Sequence, residues 1–317
     1  MLDDQADISV RLLDGHVDIP RMKAGGLNAA FFSIWVDDTY GPGTAYQRAL
    51  ALIAAVRGLA DRAADVELAT TAANVRAAAG RGHVAALMGV EGGHAIENSL
   101  EKLDTLYACG VRYMTLTWNN GNDWAGSSLD NERCGGLSEF GRAVVRRMNE
   151  LGMLVDVSHA SDATFFDVVA VTARPIIASH SSCRSLAAHP RNLTDEQLRA
   201  IAHNGGVVGI NFFPVFLDAD FALVYDDARR TGVDPESLNV PGLEKLIAHI
   251  DHAVEVMGVD HVGFGSDFDG ISVLPRPMKD ATSLPLFVAG LRARGYGDSD
   301  VRKILGENFL RVLSAAR

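Results

Sequence analysis

The chain has 317 residues, 48% of them hydrophobic, which is enough for one large domain with a sizeable core. Its formal net charge of −11 argues against a nucleic-acid-binding protein, because such proteins need a basic face. The three cysteines have no close pairing and do not indicate a disulfide framework. No apolar run approaches the ~18 residues of a membrane span, and the first ten residues lack the features of a signal peptide, so we expect a cytoplasmic protein.

Short apolar runs alternate with helix-length amphipathic segments along most of the chain. No low-complexity linker or internal repeat interrupts this alternation. The pattern predicts an α/β fold, namely a (β/α)8 TIM-type barrel with extended loops at the carboxyl ends of its strands. We expect a single barrel domain over residues 1–317.

The first predicted strand, residues 10–20, reads VRLLDGHVDIP and ends in a polar cluster. His16 and Asp18 are two positions apart, so a strand would project both side chains from one face. An imidazole and a carboxylate at that spacing can reach a single metal ion. The alternative is a turn that carries ordinary polar residues.

Scaffold helices are predicted over residues 44–79, after a long loop in which FFSIWV is a candidate strand. The next strand, within residues 84–95, is almost continuously apolar, as expected of a parallel strand buried on both faces. It ends in Glu91, a carboxylate able to bridge two metal ions. His94 and Glu97 are the nearby alternatives.

Two further predicted strands, residues 154–159 and 175–180, each end in a histidine and are separated by one helix-length segment. Strands joined in this way run parallel, so His159 and His180 would lie near each other at one rim of the sheet. In a β/α barrel the carboxyl rim carries the chemistry. The alternative is a pair of unrelated polar residues at strand ends.

Two long segments follow predicted strands on this rim. Residues 119–136 are polar and glycine-rich, which is typical of a substrate-lining loop. Residues 213–242 follow the strand at 207–213 and are a candidate lid. Arg191 lies in another rim loop, where a guanidinium suits bidentate pairing with a substrate carboxylate.

A helix is predicted over residues 242–258, and a last strand over residues 261–270 ends in Asp267 and Asp269. The remaining histidines of this half are expected on the surface or in loops: His189, His203, His249 and His252.

Six polar residues are thus predicted at the carboxyl ends of five strands: His16, Asp18, Glu91, His159, His180 and Asp267. Imidazoles and carboxylates without thiolates suit two zinc ions ~3.5–4 Å apart, and manganese or cobalt less specifically. Such ions lower the pKa of a bridging water and polarise a carbonyl group. Asp267, as a carboxylate that binds no metal, would take the proton of the nucleophile and pass it to a leaving amine.

Six motifs carry a resemblance to a known family: DGHVDIP at 14–20, EGGH at 91–94, GMLVDVSHAS at 152–161, PIIASHSS at 175–182, RN at 191–192 and GFGSDFDG at 263–270. Together they resemble the renal (membrane) dipeptidase family, a metal-dependent branch of the amidohydrolase superfamily. The resemblance implies a zinc-dependent barrel that hydrolyses dipeptides, including those with a C-terminal D-residue, by means of a metal-bridging hydroxide.

The same resemblance implies the metal ligands. His16 and Asp18 bind the first zinc, Glu91 bridges both ions, and His159 and His180 bind the second.

It also implies the residues that act on the substrate. Asp267 matches the family's proton-shuttling aspartate, and Arg191 matches the arginine that holds the C-terminal carboxylate of the dipeptide. Asn192 and Trp118 are the other candidate substrate-binding residues. A homodimer is a candidate assembly, because members of the family are often dimers.

One departure from the family pattern concerns the third strand end. Dipeptidases of the family often have a histidine there, in an LTH motif, whereas this chain has Trp118 in LTW. An indole N–H donates one hydrogen bond but neither accepts one nor takes up charge. Replacement donors could come from Asn119, Asn120 or Asn122. A family tyrosine beyond the sixth strand is also absent, and the chain has three phenylalanines there: Phe212, Phe213 and Phe216.

Three functions remain open at this point. The first is a binuclear zinc dipeptidase. The second is a related hydrolase that acts on another carboxylate-bearing amide, such as an N-acyl amino acid or a lactam, which Trp118 would favour. The third is a barrel without catalytic activity, against which the full ligand set and Asp267 argue.

Overall fold

The computed structural model describes residues 6–316, which form an α/β fold around an eight-stranded sheet. Its strands are β1 Ala29–Trp35, β2 Val66–Leu68, β3 Val84–Glu91, β4 Val111–Thr115, β5 Leu154–Asp156, β6 Ile177–Ser181, β7 Val207–Asn211 and β8 Val262–Gly265. They lie in the order β1-β3-β4-β5-β6-β7-β8, with β2 paired to β3 off this path. The described pairings are parallel, as a TIM-type barrel requires, and the predicted fold class is confirmed. Residues 1–5, on which the expectation of no leader partly rests, lie outside the described residues.

Helices connect the strands throughout the described part of the chain. They are α1 Ile19–Gly25, α2 Ala45–Arg62, α3 Ala72–Gly80, α4 Leu100–Ala108, α5 Glu139–Leu151, α6 Asp162–Val171, α7 Asp195–His203, α8 Pro214–Leu217, α9 Ala219–Thr231, α10 Leu243–Met257, α11 Leu284–Ala293, α12 Asp298–Arg302 and α13 Asn308–Ala315. Within residues 6–316, none of these helices has the length and apolar composition needed to cross a membrane.

The chain divides into two compact units. Of the described residues, one unit consists of 6–12, 27–177 and 310–316 and carries β1 to β5. The other consists of residues 13–26 and 178–309 and carries α1, most of β6, and β7 and β8. The expectation of a single domain over residues 1–317 stays a prediction.

The first predicted strand is wrong, because residues 10–18 form turns and bends that lead into α1. Gly15 has a φ of +86°, a left-handed conformation that interrupts an extended chain. Asp18 is the N-cap of α1, and its side chain accepts a hydrogen bond from the backbone N–H of Arg21. The capping carboxylate of Asp18 and Pro20 in the first turn favour the start of a helix here. The apolar residues of this segment had suggested a strand instead.

The other strands agree with prediction in position but not in every boundary. β2 was missed, because its three residues lie between two long helices within the predicted scaffold segment 44–79. β5 ends at Asp156, so His159 lies three residues beyond it, whereas His180 lies inside β6. The two histidines therefore do not share the strand-end register that the sequence suggested.

The predicted lid, residues 213–242, is largely helical in the structure. It contains α8 and α9, whose apolar side chains join a core cluster with residues from the following loops: Val215, Phe216, Phe221, Tyr225, Val240 and Val273. Movement of this segment as a lid stays a prediction.

His249 corrects a second expectation, since it is 1% exposed rather than on the surface of α10. Its Nδ1 accepts a hydrogen bond from the backbone N–H of Cys183 at 3.0 Å, and its Nε2 lies 3.2 Å from the carbonyl oxygen of Leu217. A neutral ring with its proton on Nε2 satisfies both contacts. Burial lowers the pKa of His249 to about 4, below the ordinary 6.5. The ring thus joins the loop after β6 to α8.

We expect this histidine to make the protein less stable in mild acid. Between pH 6.5 and about 4 the unfolded chain binds a proton at position 249 that the folded chain does not, so stability falls as the pH falls through this range. Over this whole pH range, the free energy of unfolding falls by about 3 kcal/mol because of this one histidine. The free energy of urea unfolding, measured at pH 7 and pH 4.5, should fall less in a His249→Gln variant than in the parent. His203→Gln, at an exposed position of α7, is the control, and equal losses in parent and His249→Gln would contradict the prediction.

Candidate functional site

Glu91 is the last residue of β3 and faces His159 within the first unit. Its Oε1 lies 3.2 Å from Nε2 of His159, and its Oε2 accepts a 2.8 Å hydrogen bond from the hydroxyl of Ser33 on β1. Its side chain is 14% exposed and that of His159 is 7% exposed. The carboxylate is therefore held in place while both groups remain within reach of one small ion.

The ring of His159 is oriented by Asn119, a residue of the loop after β4. Nδ1 of His159 lies 3.1 Å from Oδ1 of Asn119. Since an amide oxygen only accepts hydrogen bonds, Nδ1 carries the proton and Nε2 keeps its lone pair. This is the arrangement in which outer partners fix a metal-binding imidazole. His159 also has a φ of +67°, an uncommon conformation for a residue other than glycine and one that often marks a functional site.

His180 has a comparable anchor on β6. Its Nδ1 lies 2.7 Å from the hydroxyl of Ser179, which leaves Nε2 for another partner. A Cβ at Gly265 would lie 2.0 Å from the carbonyl oxygen of Ser179, so glycine is needed where β8 passes this close to His180. Within the second unit, the second ring nitrogen of His180 is thus oriented by the strand that carries it.

His16 is held by the turn that follows β8. Its backbone N–H donates to Oδ1 of Asp269, and its Nδ1 accepts from the backbone N–H of Asp269 at 3.1 Å. Burial lowers the pKa of the His16 imidazole, so the neutral form that binds metals prevails at neutral pH. Asp18 is completely buried, caps α1 and forms an ion pair with Arg21. Arg21 in turn lies 3.0 Å from Asp280.

Asp267 lies in the same turn, two residues after β8, with a φ of +56°. Its Oδ2 accepts a 3.0 Å hydrogen bond from Nδ2 of Asn211, the last residue of β7. Asn211 was missed by the sequence reasoning, although it is a polar residue at the end of an otherwise apolar strand. The same pattern, a polar residue at the end of an apolar strand, led to the prediction of Glu91.

Arg191 is buried, with 4% of its surface exposed. Its Nη2 donates to the carbonyl oxygen of His180 at 3.2 Å, and its guanidinium lies 5.4 Å from the ring centroid of Phe216. Asn192 is completely buried, and its amide group donates to the carbonyl oxygens of Ala187 and Phe216, both at 2.8 Å. The amide group thus fixes the loop, while Oδ1 of Asn192 is buried without a hydrogen-bond partner among residues 6–316, and the substrate contact of Asn192 stays a prediction.

Trp118 lies three residues after β4 and packs against Trp35 at the end of β1. The ring centroids are 5.2 Å apart and the planes meet at 70°, an edge-on contact. Of the proposed replacement donors, Asn119 has its oxygen engaged by His159, a contact that does not involve its Nδ2 donor. Asn122 is used, because its amide donates to Leu116 and its Oδ1 accepts from two backbone N–H groups.

Of the two alternatives to Glu91, Glu97 has other partners. Glu97 forms an ion pair with Lys102 and accepts a hydrogen bond from the backbone of Tyr46. His94 is packed against Gly92, where a Cβ would lie 2.5 Å from its ring. As an alternative to Glu91, His94 stays a prediction.

The donors fit a metal centre of hydrolytic type. The imidazoles of His159 and His180 have Nδ1 engaged by Asn119 and Ser179, and Glu91 supplies an anionic oxygen beside His159. Nitrogen and oxygen ligands without sulfur suit zinc and neighbouring divalent ions.

Comparison with known proteins agrees with this geometry. The family model described as membrane dipeptidase, peptidase family M19, matches residues 1–317. Dipeptidase verJ of Clonostachys rogersoniana is 36% identical over 312 residues, which are 95% of this chain and 76% of that protein. The crystal structure of dipeptidase AC, a metallopeptidase of the same family, is 32% identical with a TM-score of 0.86 and covers 99% of this chain and 94% of its own.

A second structure has a bound ligand. The metallopeptidase from Rhodobacter sphaeroides, solved with a phosphinate mimic of L-Ala-D-Ala, is 31% identical with a TM-score of 0.85. The alignment covers 99% of this chain and 95% of that one. These matches confirm the resemblance inferred from the motifs: the chain belongs to the membrane dipeptidase family, peptidase family M19, and is a metal-dependent dipeptidase.

Proposed function

We propose that the protein hydrolyses dipeptides with two zinc ions. His16 and Asp18 would hold one ion, His159 and His180 would hold the other, and Glu91 would be a ligand of both. The observation that carries this proposal is the pair of Glu91 and His159, in which Oε1 of the carboxylate lies 3.2 Å from Nε2 of the imidazole while Asn119 fixes Nδ1. The outer hydrogen bonds that fix Nδ1 of both histidines support it.

The proposed substrates include dipeptides with a C-terminal D-residue. Support comes from the related Rhodobacter sphaeroides enzyme, which binds a mimic of L-Ala-D-Ala. Arg191 binds the C-terminal carboxylate, because a buried guanidinium is a strong partner for that group. The aromatic ring of Phe216 beneath the guanidinium keeps the planar group in a fixed orientation.

The reaction needs one proton to move from the attacking water to the leaving amine. Two bound zinc ions would lower the pKa of that water and polarise the scissile carbonyl group. Asp267 takes the proton from the water and then gives it to the amine nitrogen as the C–N bond breaks. Glu91, whose Oε2 accepts a hydrogen bond from Ser33 and whose Oε1 faces the lone pair of Nε2 of His159, acts as a ligand rather than as the base.

Amino-acid release from matched L-Ala-L-Ala and L-Ala-D-Ala, with zinc-loaded protein and a chelated control, tests the proposal. We expect zinc-dependent release from the L-D dipeptide and a return of activity when zinc is added back. Absence of release from both dipeptides by protein that holds two zinc ions would overturn the substrate assignment. This experiment does not test the predicted cytoplasmic location or the predicted homodimer.

Trp118 favours a second candidate function, the hydrolysis of another carboxylate-bearing amide. Its indole packs edge-on against Trp35, so a bulky aromatic pair lies at the end of β1 and in the segment after β4. An indole there cannot replace an imidazole that contacts a scissile carbonyl group and takes up charge. An N-acyl amino acid would keep the carboxylate that Arg191 binds.

A Trp118→His variant distinguishes the two functions. If the enzyme prefers another carboxylate-bearing amide to simple dipeptides, the added imidazole should raise kcat/KM for L-Ala-D-Ala about tenfold or more. One well-placed hydrogen-bond donor to the reacting carbonyl group can contribute that much. Trp118→Phe is the matched control, since it removes the indole N–H without adding a new polar group. Unchanged dipeptide kinetics in Trp118→His would count against the second function.

A further inference from the structure

Asn211 is a buried polar residue to which neither the family resemblance nor the proposed mechanism gives a role. It is the last residue of β7, is 0% exposed, and lies in register with Gly265 of β8. The other residues of β7 are apolar or glycine and are buried. A buried amide at this position needs hydrogen-bond partners to offset its lost hydration.

Both ends of the Asn211 side chain have such partners. Oδ1 accepts a 2.6 Å hydrogen bond from the backbone N–H of Phe213, two residues ahead, as in an Asx turn. This contact fixes the amide orientation, because only the oxygen can accept from an N–H. Nδ2 must therefore face Asp267, whose Oδ2 lies 3.0 Å away.

The turn that carries Asp267 needs such a restraint. Asp267 and Asp269 both have left-handed backbone conformations, with φ of +56° and +63°, which cost free energy in residues other than glycine. The backbone N–H of Gly270 donates to the carbonyl oxygen of Asp267 and closes the turn. A Cβ at Gly270 would lie 2.2 Å from Oδ1 of Asp267, so glycine leaves room beside that oxygen.

We propose that Asn211 is a positioning residue for Asp267. Its amide holds Oδ2, so that Asp267 exchanges the proton through Oδ1, the oxygen beside Gly270. The hydrogen bond also keeps the carboxyl group from rotating between the two proton transfers. The inference rests on the proposed role of Asp267 as the proton shuttle.

Asn211→Ser is the variant that separates this role from a structural one. A serine hydroxyl can still accept from the N–H two residues ahead, but it is too short to reach Asp267. We expect kcat to fall about 10- to 100-fold, as for other outer partners of catalytic groups, with KM, zinc content and melting temperature close to those of the parent. Asn149→Ser is the matched control, since Asn149 accepts hydrogen bonds from Thr172 and Ala173 and does not contact Asp267.

The decisive measurement is a double-mutant cycle with Asp267→Asn. Asn211→Ser should lower kcat in the parent chain and change it less than twofold in the Asp267→Asn chain, because the group it positions is gone. Equal losses in both chains would show a general structural effect and overturn the inference. If Asn211→Ser does not fold, Asn211→Asp enters the same cycle, since it keeps an acceptor for Phe213 and places a carboxylate against Asp267.

The cycle also separates the two proposals. Near-full activity of the single variant Asp267→Asn would show that Asp267 is not the proton shuttle. An inactive Asp267→Asn together with a fully active Asn211→Ser would overturn only the role of Asn211.

Discussion

Replacement of Asp267 by asparagine is expected to lower kcat by about 10²- to 10⁴-fold while the zinc content stays at the parental level. The amide keeps the shape of the side chain but accepts no proton. It can therefore neither take a proton from the attacking water nor give one to the leaving amine. KM should change little, because Arg191 and the metal ligands are untouched. Steady-state kinetics with L-Ala-D-Ala and metal analysis of the same preparation check both parts.

Asp260→Asn is the matched control for this variant. Asp260 lies just before β8, at the opposite end of the strand from Asp267, and pairs with Lys303. Its side chain is 61% exposed, so the same chemical change there should leave kcat at the parental value. A rate for Asp267→Asn close to that of this control would assign the proton transfers to another group.

Replacement of Glu91 by glutamine is expected to remove zinc as well as activity. The neutral amide offers one oxygen ligand instead of an anionic pair, and it cannot balance the charge of two divalent ions. We expect fewer than two zinc ions per chain after gel filtration and a fall in kcat/KM of about 10²-fold or more. The melting temperature should respond less to added zinc than in the parent, since bound metal stabilises only the folded state.

Glu97→Gln provides the comparison, because Glu97 is the next carboxylate along the chain after Glu91 and pairs with Lys102. It should retain two zinc ions per chain even if the loss of the ion pair lowers its melting temperature. If Glu91→Gln still held two zinc ions, or if Glu97→Gln lost them, Glu97 rather than Glu91 would be the metal ligand.

Sequence patterns could propose candidate residues because parallel strands in a β/α fold end at the same rim. Glu91 lies at the end of β3, as the apolar run predicted, whereas His180 lies inside β6 rather than at its end. The pattern failed where local hydrogen bonding competes with extension. Residues 10–18 read as a strand, yet Gly15 and the capping carboxylate of Asp18 turn the chain into α1.

Features that depend on packing were beyond the reach of the sequence. His249 has helical neighbours typical of a surface position, but the face of α10 that carries it is covered by Cys183 and Leu217. Asn119 could be proposed as a donor to substrate, whereas its contact with Nδ1 of His159 required coordinates. The pairing of Asn211 with Asp267 joins two strand ends that are 56 residues apart in sequence.

The double engagement of Asp18 affects how relatives of this protein are interpreted. The carboxylate caps α1 and pairs with Arg21, and a cap of this kind contributes about 1 kcal/mol to stability. During evolutionary drift after a loss of activity, selection for folding alone would still retain an aspartate at this position. An aspartate there is therefore poor evidence that a relative is catalytically active. A histidine at position 16 is more diagnostic, because its ring lies outside α1 and caps no helix.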